Sequence, residues 1–99
     1  MAQFDVYNLP GLSGYAVEVQ HAQFADMKTR VVVPLMAPAA LAGGFSRLNP
    51  KLELLGEELL LMPQLTATVP VNYLEKPVGN LSNYRDKIIA AMDMLVTGI

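Results

Sequence analysis

His21 is the one histidine among 99 residues, so neither a proton relay between two histidines nor a two-imidazole metal site can be built from this chain. A lone histidine acting as general base needs an acid or nucleophile within reach, and sequence proximity offers it only Glu18 and Asp26. It follows the stretch Val17-Glu18-Val19-Gln20 and reads as a surface residue at a strand end. Glu57 and Glu58 look like paired carboxylates, but they sit at a hairpin tip, where adjacent acids are solvated turn residues. Ser13 and Ser46 lack the strained elbow that exposes a nucleophilic hydroxyl, and no glycine-rich phosphate loop precedes a helix. Met62, Met92 and Met94 fit a packed core or a soft, adaptable binding surface. No catalytic residue, metal or cofactor is assigned, and the residue types point to a binding protein whose best surface is the end of its last helix.

Composition narrows the class further. The length fits one small domain, residues 1–99, able to bury about 60 to 70 % of its unfolded surface without disulfides or metals. The hydrophobic share, 53 %, is high for so short a chain, which predicts apolar surface covered by another subunit. The absence of cysteine excludes a disulfide framework and a thiolate zinc site and suits a reducing cytoplasm. Seven Lys and Arg residues are scattered over a chain of net charge −2, so no basic footprint for nucleic acid is evident. The start Met1-Ala2-Gln3-Phe4-Asp5 carries no secretory signal pattern, and no run is long enough to span a bilayer. The expectation is a soluble cytoplasmic protein with no membrane contact.

The elements that would position a site follow from periodicity. Gln3 to Tyr7 alternates, with Phe4 and Val6 on one face and Gln3, Asp5 and Tyr7 on the other. The loop from Asn8 to Gly14 leads into a second strand, in which Tyr15, Val17 and Val19 alternate with Ala16, Glu18 and Gln20. Val31 to Leu35 is continuous and β-branched, as a central strand buried on both faces would be, and Pro34 marks an edge or bulge. Met36 to Gly44 suggests a helical turn and a corner. A hairpin centres on Gly56-Glu57, between Lys51–Leu55 and Glu58–Met62. Val69, Val71 and Tyr73 predict a last strand after a polar bend at residues 66–68, and Asn80 or Ser82 is placed to cap the closing helix.

In that helix Tyr84, Ile88, Met92 and Leu95 recur at helical spacing, widened by Ile89 and Val96, while Asp86, Ala90, Asp93 and Thr97 fall on the opposite face. Position 97 is therefore predicted to face water or a partner. The sum is a mainly β chain of five or six strands with one C-terminal helix, a small barrel-like sheet with the helix packed on it.

Gln3-Phe4-x-Val6-Tyr7, Val17-Glu-Val-Gln20, Arg30-Val-Val-Val-Pro-Leu35, Val69-Pro-Val71, Leu81-Ser82 and Gly98-Ile99 resemble, in order and nearly in register, the CcdB toxins of bacterial toxin–antitoxin modules. The resemblance implies an SH3-like barrel of antiparallel strands with a C-terminal helix, dimerised through the helix ends by Met94, Val96, Gly98 and Ile99. It also implies a toxin that is not an enzyme, one that binds the DNA gyrase A subunit. A CcdA-like antitoxin would neutralise it, and operator DNA would be bound only by the toxin–antitoxin complex. By position, the gyrase-binding residues would be Gln3, Phe4, Tyr7, Asp93, Thr97, Gly98 and Ile99.

The chain departs from the family at that surface. The family closes in Trp-Gly-Ile, whereas here Thr97 replaces the tryptophan, Val96 the preceding aromatic and Asp93 an amide. An exposed aromatic anchor of this kind commonly contributes about 2 to 4 kcal/mol, so gyrase poisoning is expected to be weak or lost. The alternatives are a MazF-like endoribonuclease, since that toxin type resembles the same barrel, and a non-toxic dimeric protein with another target.

Overall fold

The run Val31-Val32-Val33 lies within an eight-residue strand, β3 (Thr29–Met36), around which the rest of the sheet is ordered. The computed structural model describes residues 2–9, 14–38 and 47–98. The other strands are β1 (Asp5–Asn8), β2 (Tyr15–Glu18), β4 (Lys51–Leu54), β5 (Glu57–Leu61), β6 (Ala67–Pro70) and β7 (Gly79–Asn80). They form one antiparallel sheet in the order β4-β5-β3-β2-β1-β7, with β6 also on β3. Register is set by stacked valines: Val6 pairs with Val17, and Val17 with Val33.

Both faces of β3 are covered, as a continuous β-branched run requires, Val33 and Leu35 packing in the main core and Val32 in a second apolar cluster, and both of its edges are paired. On one side β3 pairs with β2; on the other it pairs with β6 from Thr29 to Val32 and with β5 at Leu35 and Met36. Pro34, which has no amide to donate, falls in the gap where the partner changes. Its carbonyl still accepts from Met62 N at 2.9 Å.

Three boundaries differ from the sequence expectation. The hairpin turns on Leu55 and Gly56, both at positive φ (54° and 79°), one residue earlier than Gly56-Glu57. That pair of left-handed residues gives the twist a tight antiparallel turn demands. The last main strand is Ala67–Pro70, while Val71–Tyr73 forms a 3₁₀ turn; the fixed φ and missing amide of Pro70 stop the ladder there. Met36 belongs to β3 and Ala37 and Pro38 follow it, while residues 39–44 of the expected turn and corner lie outside the described residues, as do Ser13, Ser46 and most of the first hairpin loop.

The two ends of the sheet approach one another and nearly close a barrel. A Cβ on Gly79 of β7 would stand 2.9 Å from Leu54 Cδ1 of β4, so this contact tolerates only glycine without rearrangement. Tyr84 spans the same seam, its hydroxyl accepting from Glu53 N at 3.3 Å. Asn80 Oδ1 accepts from Ser82 N at 2.8 Å at the entry to the 3₁₀ turn Ser82–Tyr84, but α1 (Arg85–Thr97) begins after Tyr84 with no side-chain cap, so neither Asn80 nor Ser82 caps it as expected. Ser82 itself supplies no side-chain cap.

Ile88 and Ala91 of α1 are fully buried against a core that includes Phe4, Val17, Val33, Leu52 and Leu61, and Tyr84, Ile89 and Met92 pack at its margin. The predicted apolar face holds to that point and then fails. Leu95 is 41 % and Val96 81 % exposed, since among the described residues the main core takes in nothing of α1 beyond Met92.

Candidate functional site

The exposed last turn of α1 brings Asp93, Thr97 and Gly98 together. Thr97 Oγ1 donates to the carbonyl of Asp93 at 2.7 Å, folding the side chain back on its own helix. Gly98 takes the left-handed conformation (φ 79°) and its amide closes on Met94 O at 2.8 Å, the usual way for a glycine to end a helix. Asp93, Val96 and Thr97 face solvent and Met94 is half-buried. Ile99 lies outside the described residues. The last turn holds no basic residue, so the negative end of the helix dipole and the Asp93 carboxylate add rather than cancel.

Of the strand residues expected at this surface, Phe4 and Tyr7 are buried and Gln3 is half-buried. Gln3 is half-buried, its amide donating to Val19 O at 3.1 Å. Phe4 is in the core at φ 69°, held by its amide to Glu18 O and by Leu81 N donating to its own carbonyl. Tyr7 is fully buried, in a separate cluster with Ala16, Val32 and Leu74. The expected polar face of β1 is therefore absent at Tyr7: with β2 and β7 on either side and a second cluster covering it, the strand is buried on both faces there.

Tyr7 instead joins a buried charged group that sequence reading missed. Its hydroxyl donates to Glu18 Oε1 at 3.4 Å, and Glu18 Oε2 lies 3.6 Å from Arg30 Nε. That second distance is an ion pair and not a hydrogen bond, which leaves Arg30 Nε without a hydrogen-bond partner. The guanidinium also donates to Thr29 O at 2.9 Å, Ala25 O at 2.7 Å and Met27 O. It thereby fastens the segment 21–28, every residue of which is exposed. Burial raises the Glu18 carboxyl above its ordinary range, against the opposing pull of Arg30 and the Tyr7 hydrogen bond. Burial, then the Glu18 charge, pushes the Tyr7 phenol up to about 12. A trio closed from solvent in this way organises a loop and meets no substrate. A charged residue in an otherwise apolar alternation, Val17-Glu18-Val19, was its only sequence signal, and that alternation had placed Glu18 outward.

The remaining chemical candidates are ordinary surface residues. His21 is exposed and its Nδ1 accepts from Gln23 N at 3.0 Å, capping the 3₁₀ turn Ala22–Phe24. Glu57 and Glu58 are exposed at the hairpin, with Glu58 3.9 Å from Lys51. Met62 is core. Among the described residues no group of three His, Asp or Glu side chains converges as a metal site requires, and no helix is long and apolar enough to cross a membrane.

Comparison with known proteins agrees with this architecture. A solved structure described as an endoribonuclease in complex with its cognate antitoxin, from Mycobacterial species, superposes with a TM-score of 0.78 at 13 % identity, covering 97 % of this chain and 94 % of that one. At that identity the likeness establishes the fold alone. No curated protein sequence matches. The model of the family described as CcdB protein matches residues 3–98, a span that takes in all seven strands and the whole of α1. The chain belongs to the CcdB family, the toxins of toxin–antitoxin modules.

Proposed function

We propose that the protein is a bacterial, cytoplasmic toxin-family homodimer that binds a CcdA-like antitoxin and binds the DNA gyrase A subunit weakly or not at all. Operator DNA would be engaged only by the complex with antitoxin. The observation that carries the reading is the helix tip. Leu95 and Val96 are apolar side chains exposed on a small domain, which supports pairing of two copies through their helix ends. Thr97 occupies the exposed position of the family tryptophan, and its hydroxyl is taken up by its own backbone. What remains to meet a target is one methyl group beside a carboxylate. On this reading Asp93, Thr97, Gly98 and Ile99 form the contact surface, Met94, Val96, Gly98 and Ile99 the dimer contact, and Phe4 packs behind the helix that carries them.

Expression in a gyrase-sensitive bacterium tests the claim. Little growth arrest is expected; strong arrest reversed by gyrase resistance mutations would overturn the proposed weakness while leaving the family unaffected. In vitro, Thr97→Trp is expected to tighten binding to the gyrase A dimerisation core by roughly thirty- to a thousandfold, the range an interface aromatic contributes. The endoribonuclease alternative draws on the fold likeness; incubating the purified protein with mixed RNA decides it, intact RNA being the expected result.

A further inference from the structure

Segment 21–28 is held at its two halves by different chemistry. Arg30 takes the carbonyls of Ala25 and Met27 in the second half, through a guanidinium that never gives up its charge. The first half rests on His21. Its backbone is extended (φ −63°, ψ 145°) and its Nδ1 accepts from Gln23 N at 3.0 Å, capping the turn Ala22–Phe24. An imidazole accepts at Nδ1 only while neutral, with its hydrogen on Nε2. The ordinary residues for this duty are Ser, Thr, Asn and Asp, whose oxygens go on accepting at neutral and mildly acid pH. Gln20 adds a tie that does not titrate, Oε1 accepting from Val31 N at 3.1 Å and Nε2 donating to Phe24 O at 3.0 Å. None of Ala22, Gln23 and Phe24 is buried, so no packing stands in for a lost cap. Phe24, 46 % exposed, is the large apolar side chain this half presents.

We infer that His21 is a pH-sensitive latch: protonation converts Nδ1 from acceptor to donor against the Gln23 amide, so Ala22–Phe24 loosens in acid while Ala25–Lys28 stays fastened to Arg30. The charged groups that adjoin the imidazole are Glu18 at the end of β2, Asp26 and Lys28 in the segment, and Arg30 on β3. None forms an ion pair with it among the described residues. The turn Val71–Tyr73, joined to the segment by Val71 N donating to Lys28 O at 2.8 Å, brings one titratable group, the Tyr73 phenol. Glu18 also gains a proton in acid, burial raising its carboxyl, but its ion-pair partner is Arg30, so its protonation acts on the second half. The two halves therefore answer to different groups. Acid changes how Phe24 is presented without unfolding the sheet that carries it.

Amide nitrogen relaxation on the wild-type protein, His21→Asn and His21→Ala, from about pH 8 to about pH 5, tests it. In the wild type the order parameters of residues 22–24 are expected to fall from about 0.85 to below about 0.6. The fall should keep step with the titration of the His21 ring protons, while residues 25–28 change far less. His21→Asn, which caps without titrating, should stay ordered at both ends of the range, and His21→Ala should be loose at both. All three should fold alike, since position 21 is exposed. Unchanged order in the wild type across the range, or an ordered turn in His21→Ala at the alkaline end, would overturn the inference. So would a loss of order that persists in His21→Asn, which would assign the titration to Glu18.

Discussion

Arg30 and Glu18 form an ion pair at 3.6 Å in which both side chains are 6 % exposed, on adjacent antiparallel strands of the barrel. Two charges taken out of water cost several kcal/mol each, and their attraction offsets this only while both are present. Arg30 adds bonds to the carbonyls of Ala25, Met27 and Thr29, so the pair links the sheet to an exposed loop.

Removing one partner should therefore cost more than removing both. Glu18→Ala and Arg30→Ala are each expected to destabilise by about 3 to 5 kcal/mol, and the pair Glu18→Leu with Arg30→Met by less than either. Urea denaturation measures all three. Arg30→Ala should additionally speed hydrogen exchange in residues 22–28; equal exchange would show that the guanidinium does not hold the loop.

The Tyr7 phenol sets an alkaline limit. Its folded-state pKa of about 12 lies above the ordinary 10.0, so the folded chain keeps a proton that the unfolded chain gives up. Stability from this group is complete below pH 10 and is lost as the pH rises toward 12, by about 1 to 3 kcal/mol in all. Glu18 acts in the same direction at lower pH: with its folded pKa raised, its contribution is largest below the ordinary carboxylate range and declines as pH climbs through the folded value. Denaturation midpoints from pH 9 to 12 should fall for wild type and stay flatter for Tyr7→Phe.

Gly79 makes the barrel seam a steric prediction. Gly79→Ala brings a methyl against Leu54 Cδ1, the end of a side chain that can turn aside, and should destabilise by about 1 kcal/mol, the low end for overpacking. In a Leu54→Ala background the same change should cost much less, because the clashing atom is gone. A double-mutant cycle with no coupling would show that the two residues do not touch across the seam.

Thr97→Trp should leave the fold untouched. The position is exposed and its hydroxyl bonds only the preceding turn, so the thermal midpoint should correspond to a change within about 0.5 kcal/mol. A larger loss would mean that position 97 is covered in the free protein.

Much of the fold was readable in advance because period and residue type act locally. Val31 to Val33 announced a buried central strand, Lys51 to Met62 a hairpin, and Ile88 with Met92 the inner face of α1. The errors have physical causes beyond the reach of periodicity. Pro70 ended a strand that Val69, Val71 and Tyr73 seemed to continue. Leu55 took a turn position that propensity gives to Asn or Gly. Leu95 and Val96 kept the helical spacing of core residues after the core had run out.

The sequence by itself determined the family, the order of strands and helix, and the departure of Thr97 from the family ending, since these depend on which residues occur and at what spacing. Only the tertiary structure decided which of them meet water. Alternation along β1 and β2 assigns opposite faces, but both faces are buried once β7, β3 and a second apolar cluster close around them. That enclosure turned Tyr7 and Glu18 from surface residues into partners in the group around Arg30, and left the last turn of α1 exposed.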